Sequence, residues 1–235
     1  MGMTRVDEFL ALFNRLAEHL SRLSGQEPGT SFSKLVERAS LLNPTIKRHQ
    51  FRLKAFGRLR NAIVHGASYP YEVVAEPTDG TLRGLRDLVK EVLTPAPLIP
   101  AFQREVRCFA PDDALAPVLH YMRENLFSQV AVRVKGRLQL LTSEGIAWWF
   151  AEAEGNPRRR GPDGTVRDAL ALEESEAFVI LSQDSTVDHA REAFASEIDR
   201  GQPRLYAILI TATGKATEDP LGIVTPWDLL GAADA

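Results

Sequence analysis

Two short stretches decide how the second half of this chain folds: Gly222-Ile223-Val224-Thr225-Pro226-Trp227-Asp228 and its upstream counterpart Leu140-Leu141-Thr142-Ser143-Glu144-Gly145. In each, an apolar run with the period and length of a buried strand ends on a threonine, and a helical pattern starts at once. A strand that stops there presents a hydroxyl and unsatisfied backbone N–H groups to an anion. Asp228, three residues on, can accept hydrogen bonds from two vicinal hydroxyls. The same spacing also fits a capping box, with Thr225 as N-cap and Asp228 at N3. Taken alone, the residues fit both readings.

Working outward, the flanking patterns repeat. A helix at about residues 114–125 is followed by a strand over Gln129–Val134, a Lys135-Gly136 turn, a strand over Arg137–Leu141 and a helix from Ser143. After a polar insertion, Glu154 to Pro162, the order returns. The pattern gives a strand over 178–181, a helix over 186–198, a strand over 205–211, a strand over 221–224 and a helix over 226–230. Pro111-Asp112-Asp113-Ala114 matches Gln183-Asp184-Ser185-Thr186, and Leu140-Leu141-Thr142 matches Ile223-Val224-Thr225. A repeat of about 60 residues that cannot bury its own sheet packs against its twin and leaves clefts between the two.

Upstream the grammar is purely helical. Phe9, Phe13, Leu16, Leu20 and Leu23 recur at spacings of three and four, predicting a helix that ends near Gly25. A second helix runs from about Ser31 to the Asn43-Pro44 stop. A third carries Ile46, Leu53, Phe56, Leu59 and Ile63 inward and ends at His65-Gly66, and Leu82, Leu85, Val89 and Val92 mark a fourth. Three prolines between Pro95 and Pro100 read as a semi-rigid spacer. The expected fold class is therefore α + α/β. The expected domains are a helical bundle over 1–94, a linker over 95–100 and an α/β pair over 101–235, with a first module over about 101–153 and a second over about 163–235.

Charge separates the halves as well. Residues 1–100 carry 14 Lys and Arg against 10 Asp and Glu, whereas residues 101–235 carry 14 against 21. No acidic residue lies between Glu37 and Glu72, a gap that holds Arg38, Lys47, Arg48, Arg52, Lys54, Arg58 and Arg60. Such a stripe suits a polyanion, a solvated face or an acidic partner domain. Cys108, the single cysteine, excludes an internal disulfide and reads as core. No apolar run approaches the length of a membrane span, and the charged start is unlike a secretion signal, so a cytoplasmic protein is expected.

The repeat with its Gly-apolar-apolar-Thr-x-x-Asp ending resembles the CBS (cystathionine β-synthase type) modules, which occur as tandem pairs. The resemblance implies an adenine nucleotide (AMP, ADP or ATP) as regulatory ligand. The Asp228 carboxylate would take the ribose hydroxyls and the Thr225 hydroxyl a phosphate. Ile223 and Val166 are further nucleotide-binding candidates. Thr142 is a weak one, because Gly145 stands where the carboxylate belongs; one competent cleft and one weak or empty cleft are expected. Arg158, Arg159 and Arg160, in the polar insertion, are candidate phosphate partners or solvated loop.

Leu59-Arg60-Asn61-Ala62-Ile63-Val64-His65-Gly66 resembles the Arg-Asn-x-x-x-His signature of HEPN domains (higher eukaryotes and prokaryotes nucleotide-binding), all-helical and commonly homodimeric. Catalytic relatives are endoribonucleases that need no metal, which would give Arg60 and His65 catalytic roles with Asn61 beside them. The chemistry is economical: a histidine near pKa ~6.5 serves as acid or base, and a guanidinium grips phosphate. Arg48, Arg52, Lys54 and Arg58 would contact RNA. Two readings follow: a nucleotide-gated ribonuclease, or a non-catalytic dimerisation or docking module that reports nucleotide state.

Overall fold

The computed structural model describes residues 3–27, 29–65, 75–154, 164–173, 178–199 and 205–231. The chain divides into two compact units, Met1–Ala96 and Pro97–Ala235.

The first unit is built from α1 (Arg5–Ser24), α2 (Phe32–Ser40), α3 (Pro44–His65) and α4 (Asp79–Leu93). Thr4 and Asp7 form a reciprocal capping box at the start of α1, Asp7 and Glu8 oppose the positive helix end, and Gly25 closes the helix in the left-handed conformation at φ 59°. Of the apolar stripe foreseen on α1, Phe9, Phe13, Leu16 and Leu20 are buried and Leu23 partly so, packed in one core with Leu35, Val36, Ile46, Leu53, Leu85 and Val89. Gly57 brings α2 and α3 together, since a Cβ there would sit 2.9 Å from the Phe32 ring, which itself lies 4.4 Å, centroid to centroid, from Phe13.

The second unit holds two three-stranded sheets of the same construction. The first is β1 (Cys108–Phe109), β2 (Gln129–Val134) and β3 (Arg137–Thr142), and the helices that go with it are α5 (Leu115–Asn125), α6 (Ser143–Glu154) and α7 (Val166–Leu170). The second is β4 (Phe178–Ser182), β5 (Ala207–Thr211) and β6 (Gly222–Val224), with α8 (Val187–Asp199) and α9 (Pro226–Gly231). In each sheet the first strand pairs parallel with the second and the second antiparallel with the third. A parallel pair needs a crossover, and α5 and α8 supply it. The two-residue β1 and the five-residue α7 are too short for a periodic signal, and the sequence reading did not foresee them.

The repeats exchange their leading segments. Leu98, inside the proline-rich stretch read as a spacer, is 0% exposed in the core built around Ile208, Ile210 and Val224 of the second sheet. Its N–H donates to the Ser185 carbonyl at 2.9 Å, and Gln103 bridges to Gly222. Gly222 is glycine for a steric reason: the Phe102 carbonyl lies where a Cβ would stand. In the opposite direction, Val166 and Ala169 of α7 enter the core of the first sheet beside Val132, Leu141 and Trp149. The bridges that dock the two arms, Pro97 to Thr186 and Ala114 to Thr165, fall at matching points of the repeat. No helix among the described residues is long and apolar enough to cross a membrane.

Candidate functional site

β6 delivers Thr225 to the first position outside α9, and the chain turns there through the Pro226 start, the proline fitting the first helical turn where no N–H partner is needed. The Thr225 hydroxyl and N–H both donate to Asp228 Oδ2 at 2.7 Å. The Asp228 N–H returns to Thr225 Oγ1 at 3.4 Å, so the capping box is formed. The other carboxylate oxygen, Oδ1, accepts from the Arg104 guanidinium at 2.9 Å. Burial of the Asp228 carboxyl works to raise its pKa. The hydrogen bonds from Thr225, with the hydrogen bond and charge of Arg104, outweigh that and hold it below the usual aspartate value.

Thr225 and Ile223 also line a cleft of about 80 Å³, with Arg104, Val106, Arg107 and Tyr121 across from them. The cleft joins both halves of the repeat, because residues 104–107 and the start of β2 face the end of β6. Arg107 stacks over the rings of Phe109 and Tyr121, 4.8 and 5.1 Å from their centroids. The lining is therefore partly apolar and aromatic and carries the Arg104 and Arg107 guanidiniums, the Glu105 carboxylate and the Thr225 hydroxyl, with Asp228 adjoining it through Thr225 and Arg104. Neither arginine was singled out in the sequence, because the segment that carries them, between the 95–100 linker and the first expected helix, shows no periodic pattern.

The corresponding position of the first module is arranged differently. Thr142 ends β3 and caps α6, with the Gly145 N–H donating to its Oγ1 at 3.1 Å. Its own N–H and hydroxyl donate to the two oxygens of Glu173, at 2.5 and 3.1 Å. Glu173 follows α7 and lines a cleft of about 500 Å³ with Arg137, Leu138, Leu140, Phe178 and Ile180. Thr142 itself is 0% exposed beneath it.

Other residues singled out from the sequence fall as follows. Val166 lies wholly in the first module's core, where an apolar β-branched side chain packs best, and offers no surface to either cleft. Arg158, Arg159 and Arg160 lie outside the described residues, as does the His65 side chain, although His65 ends α3. Arg60 and Asn61 share a weak 3.4 Å hydrogen bond and line a pocket of about 660 Å³ with Lys54, Arg58, Ser31 and Ser33. Three cations of the basic stripe pair with carboxylates at the surface. Arg48 and Arg52 reach Glu91 at 3.3 and 3.5 Å, the buried His49 joins them at 2.8 Å, and Lys54 reaches Glu37 at 2.8 Å. Those four residues tie α3 to α4 and α2, which the stripe alone could not reveal. Cys108 is half-buried, and burial pushes its thiol up against the lowering influence of Arg133, the direction of an unreactive thiol.

No protein-family model matches the chain, and no curated protein sequence matches it. Solved structures to which it is similar are CBS-domain proteins. CBSX2 in complex with AMP is 12% identical, with 59% of this chain and 96% of that one covered at a TM-score of 0.42. A hexameric CBS-CP12 protein from bloom-forming cyanobacteria is 17% identical over 57% and 69% of the two chains, also at 0.42. A CBS-domain containing protein from Agrobacterium tumefaciens is 16% identical over 55% and 84%, at 0.38. At this level of likeness the functional reading has to stand on the chain's own geometry.

Proposed function

We propose that residues 97–235 are a CBS-type regulatory pair that binds an adenine nucleotide in the cleft headed by Thr225 and Asp228. The observation that carries the reading is the cleft lined by Thr225, Arg104, Arg107 and Tyr121, with Asp228 bonded to both Thr225 and Arg104 at its edge. The chemistry of the lining suits a purine at the aromatic wall, ribose hydroxyls at Asp228 and a phosphate at the arginines and the Thr225 hydroxyl, and the cleft of about 80 Å³ has to widen to admit them. In the unliganded state Arg104 holds Asp228. On binding, the carboxylate passes from guanidinium to ribose and the guanidinium passes to phosphate, so that no charge is left unpaired. Calorimetry on the full chain with AMP, ADP and ATP tests this. Asp228→Ala removes a charge-assisted contact worth about 1.5–3 kcal/mol, a ten- to hundredfold loss of affinity. Absence of heat with all three nucleotides overturns the reading.

For residues 1–96 we propose a HEPN-like homodimerising or docking module whose state the nucleotide controls. The capture of Arg48, Arg52 and Lys54 by Glu91 and Glu37 favours this over a broad RNA-binding face. A second reading, a metal-independent endoribonuclease, draws on Arg60 and Asn61 lining one polar pocket with Arg58. It predicts cleavage of single-stranded RNA in EDTA, leaving a 2′,3′-cyclic phosphate. Arg60→Ala and His65→Ala would each lower the rate by about 10²–10⁴ at unchanged melting temperature. RNA left intact with and without nucleotide sinks the enzyme and leaves the docking module.

A further inference from the structure

We infer that the turn between α2 and α3, together with the outer face of α3, docks the helical unit on an anionic bilayer surface. This names an occupant for the docking module proposed for residues 1–96 and rests on that reading.

Three large apolar side chains stand exposed inside the acid-free stretch: Leu41 at 77%, Leu42 at 66% and Phe51 at 87%. Leu41 and Leu42 form the turn from α2 into α3. Phe51 follows on α3, about 10 Å along the axis from Pro44 at 1.5 Å per residue. It points away from the core. Ile46, His49 and Leu53 of the same helix are buried, whereas Lys47, Arg48, Phe51, Ala55 and Arg58 are exposed and fall within about 100° of the helix circumference. Apolar side chains scattered singly over a surface need no explanation, but these three follow one another along a turn and the helix it starts, amid cations.

Charge selects the partner. Residues 38–71 carry seven Lys and Arg and no Asp or Glu. Glu37 and Glu91, which bond Lys54, Arg48 and Arg52, offset two of these charges. A second copy would bring the same cations to a symmetric contact, where like charges repel. An anionic surface is the complement of this face.

The turn is also built to leave water. Its backbone N–H groups are satisfied internally: Leu41 donates to the Arg38 carbonyl at 3.2 Å, and Leu42 and Asn43 donate to the Ala39 carbonyl at 3.1 and 2.9 Å. Inserting the two leucines therefore strips none of these donors of a water partner, the cost that keeps ordinary loops out of hydrocarbon. A turn between packed helices is convex, and lipid yields around a protruding tip where a rigid protein partner would need a matching hollow. The leucines and Phe51 enter the acyl boundary while the cations of α3 stay at the headgroups, the two signals a peripheral anchor needs.

The test is partition of the full chain onto sedimented vesicles at low salt, made of phosphatidylcholine alone or of three parts phosphatidylcholine to one of phosphatidylserine. Binding is expected on the anionic vesicles and little on the neutral ones, with partition falling as salt rises. The triple change Leu41→Ser, Leu42→Ser and Phe51→Ser should lower it about tenfold or more at unchanged melting temperature, since all three side chains lie largely in water. Arg38→Gln with Arg58→Gln should lower it about tenfold. Leu126→Ser, 92% exposed in the second unit, should leave it unaltered. No partition onto anionic vesicles, or partition untouched by the triple change, overturns the inference, as does a preference of the same face for soluble polyglutamate over vesicles. Sedimentation velocity then separates this failure from that of the parent reading. A self-associated chain that the triple change turns into a slower species makes a second copy the occupant and keeps the docking module, whereas an unchanged sedimentation coefficient and no polyglutamate bound remove the docking face as well.

Discussion

The two modules of the second unit close the same helix start with the same chemistry and different parts. Thr225 and Asp228 sit three residues apart and form a box within one helix turn. Thr142 has glycine at that distance and obtains its carboxylate from Glu173, 31 residues along the chain. A capping interaction is local by habit and is read from sequence as a local string. Here the position in space is kept while the position in sequence is not, and the exchange of arms between the modules makes that substitution accessible.

The largest test strikes the exchange itself. Leu98 anchors one arm in the core of the second sheet and is 0% exposed. Leu98→Ala should cost about 2–5 kcal/mol by lost transfer and residual cavity. Its counterpart Val166→Ala removes fewer carbon atoms and should cost less. Denaturant unfolding of both variants measures the difference; two small, equal effects would mean the arms are not structural. A fragment starting at residue 101 should be less stable than one starting at 97 for the same reason.

Gly145→Asp alone comes next. It forces a second carboxyl into the space Glu173 holds, and crowding of that kind costs about 1–3 kcal/mol, compounded by like-charge repulsion. Paired with Glu173→Ala, most of the loss should return. A Gly145→Asp chain with an unshifted melting temperature would show that Glu173 leaves its place easily, and the comparison between the caps would weaken accordingly.

Arg104→Gln sharpens the other side. The ion pair with Asp228 is partly exposed, and pairs of that kind contribute about 1 kcal/mol or less. Stability should barely change, while nucleotide affinity falls several-fold through the lost phosphate partner, more for ATP than for AMP. Equal losses for the two nucleotides would remove Arg104 from the phosphate end.

What sequence conveyed and what it did not follows the same division. The strands and helices of the repeat were legible because each carries its own periodicity: β2 runs over Gln129–Val134 as expected, and β3, β4 and β6 depart from expectation by one residue at an end. Thr225 and Asp228 were legible because their contact spans three residues. Arg104 and Glu173 were not, since each acts far along the chain, and a lone polar residue outside a periodic segment carries no signature of its partner. Leu98 was missed because prolines around it dominate the local pattern, while its burial is decided by Ile208, Ile210 and Val224 more than a hundred residues on. The pairing of Arg48 and Arg52 was missed for the same reason, Glu91 being the partner.

The smallest effect separates the caps by pH. The Asp228 carboxyl titrates below the ordinary aspartate value in the folded chain, burial raising it and the bonds from Thr225 and Arg104 lowering it further than burial can offset. Between the depressed native pKa and the ordinary one near 3.8, the unfolded chain binds more protons than the folded one, so stability rises with pH through that window. The contribution is complete above the ordinary value and is lost as pH falls through the native one. Asp228→Asn should therefore flatten the acid limb of the stability curve of the second unit while leaving the plateau above pH ~5 nearly parallel to that of the unaltered chain. Chemical denaturation at a series of acidic pH values reads this directly. If the Asn variant keeps the full acid dependence, Asp228 is not held as an anion by Thr225 and Arg104, and the two caps differ in more than the origin of their carboxylates.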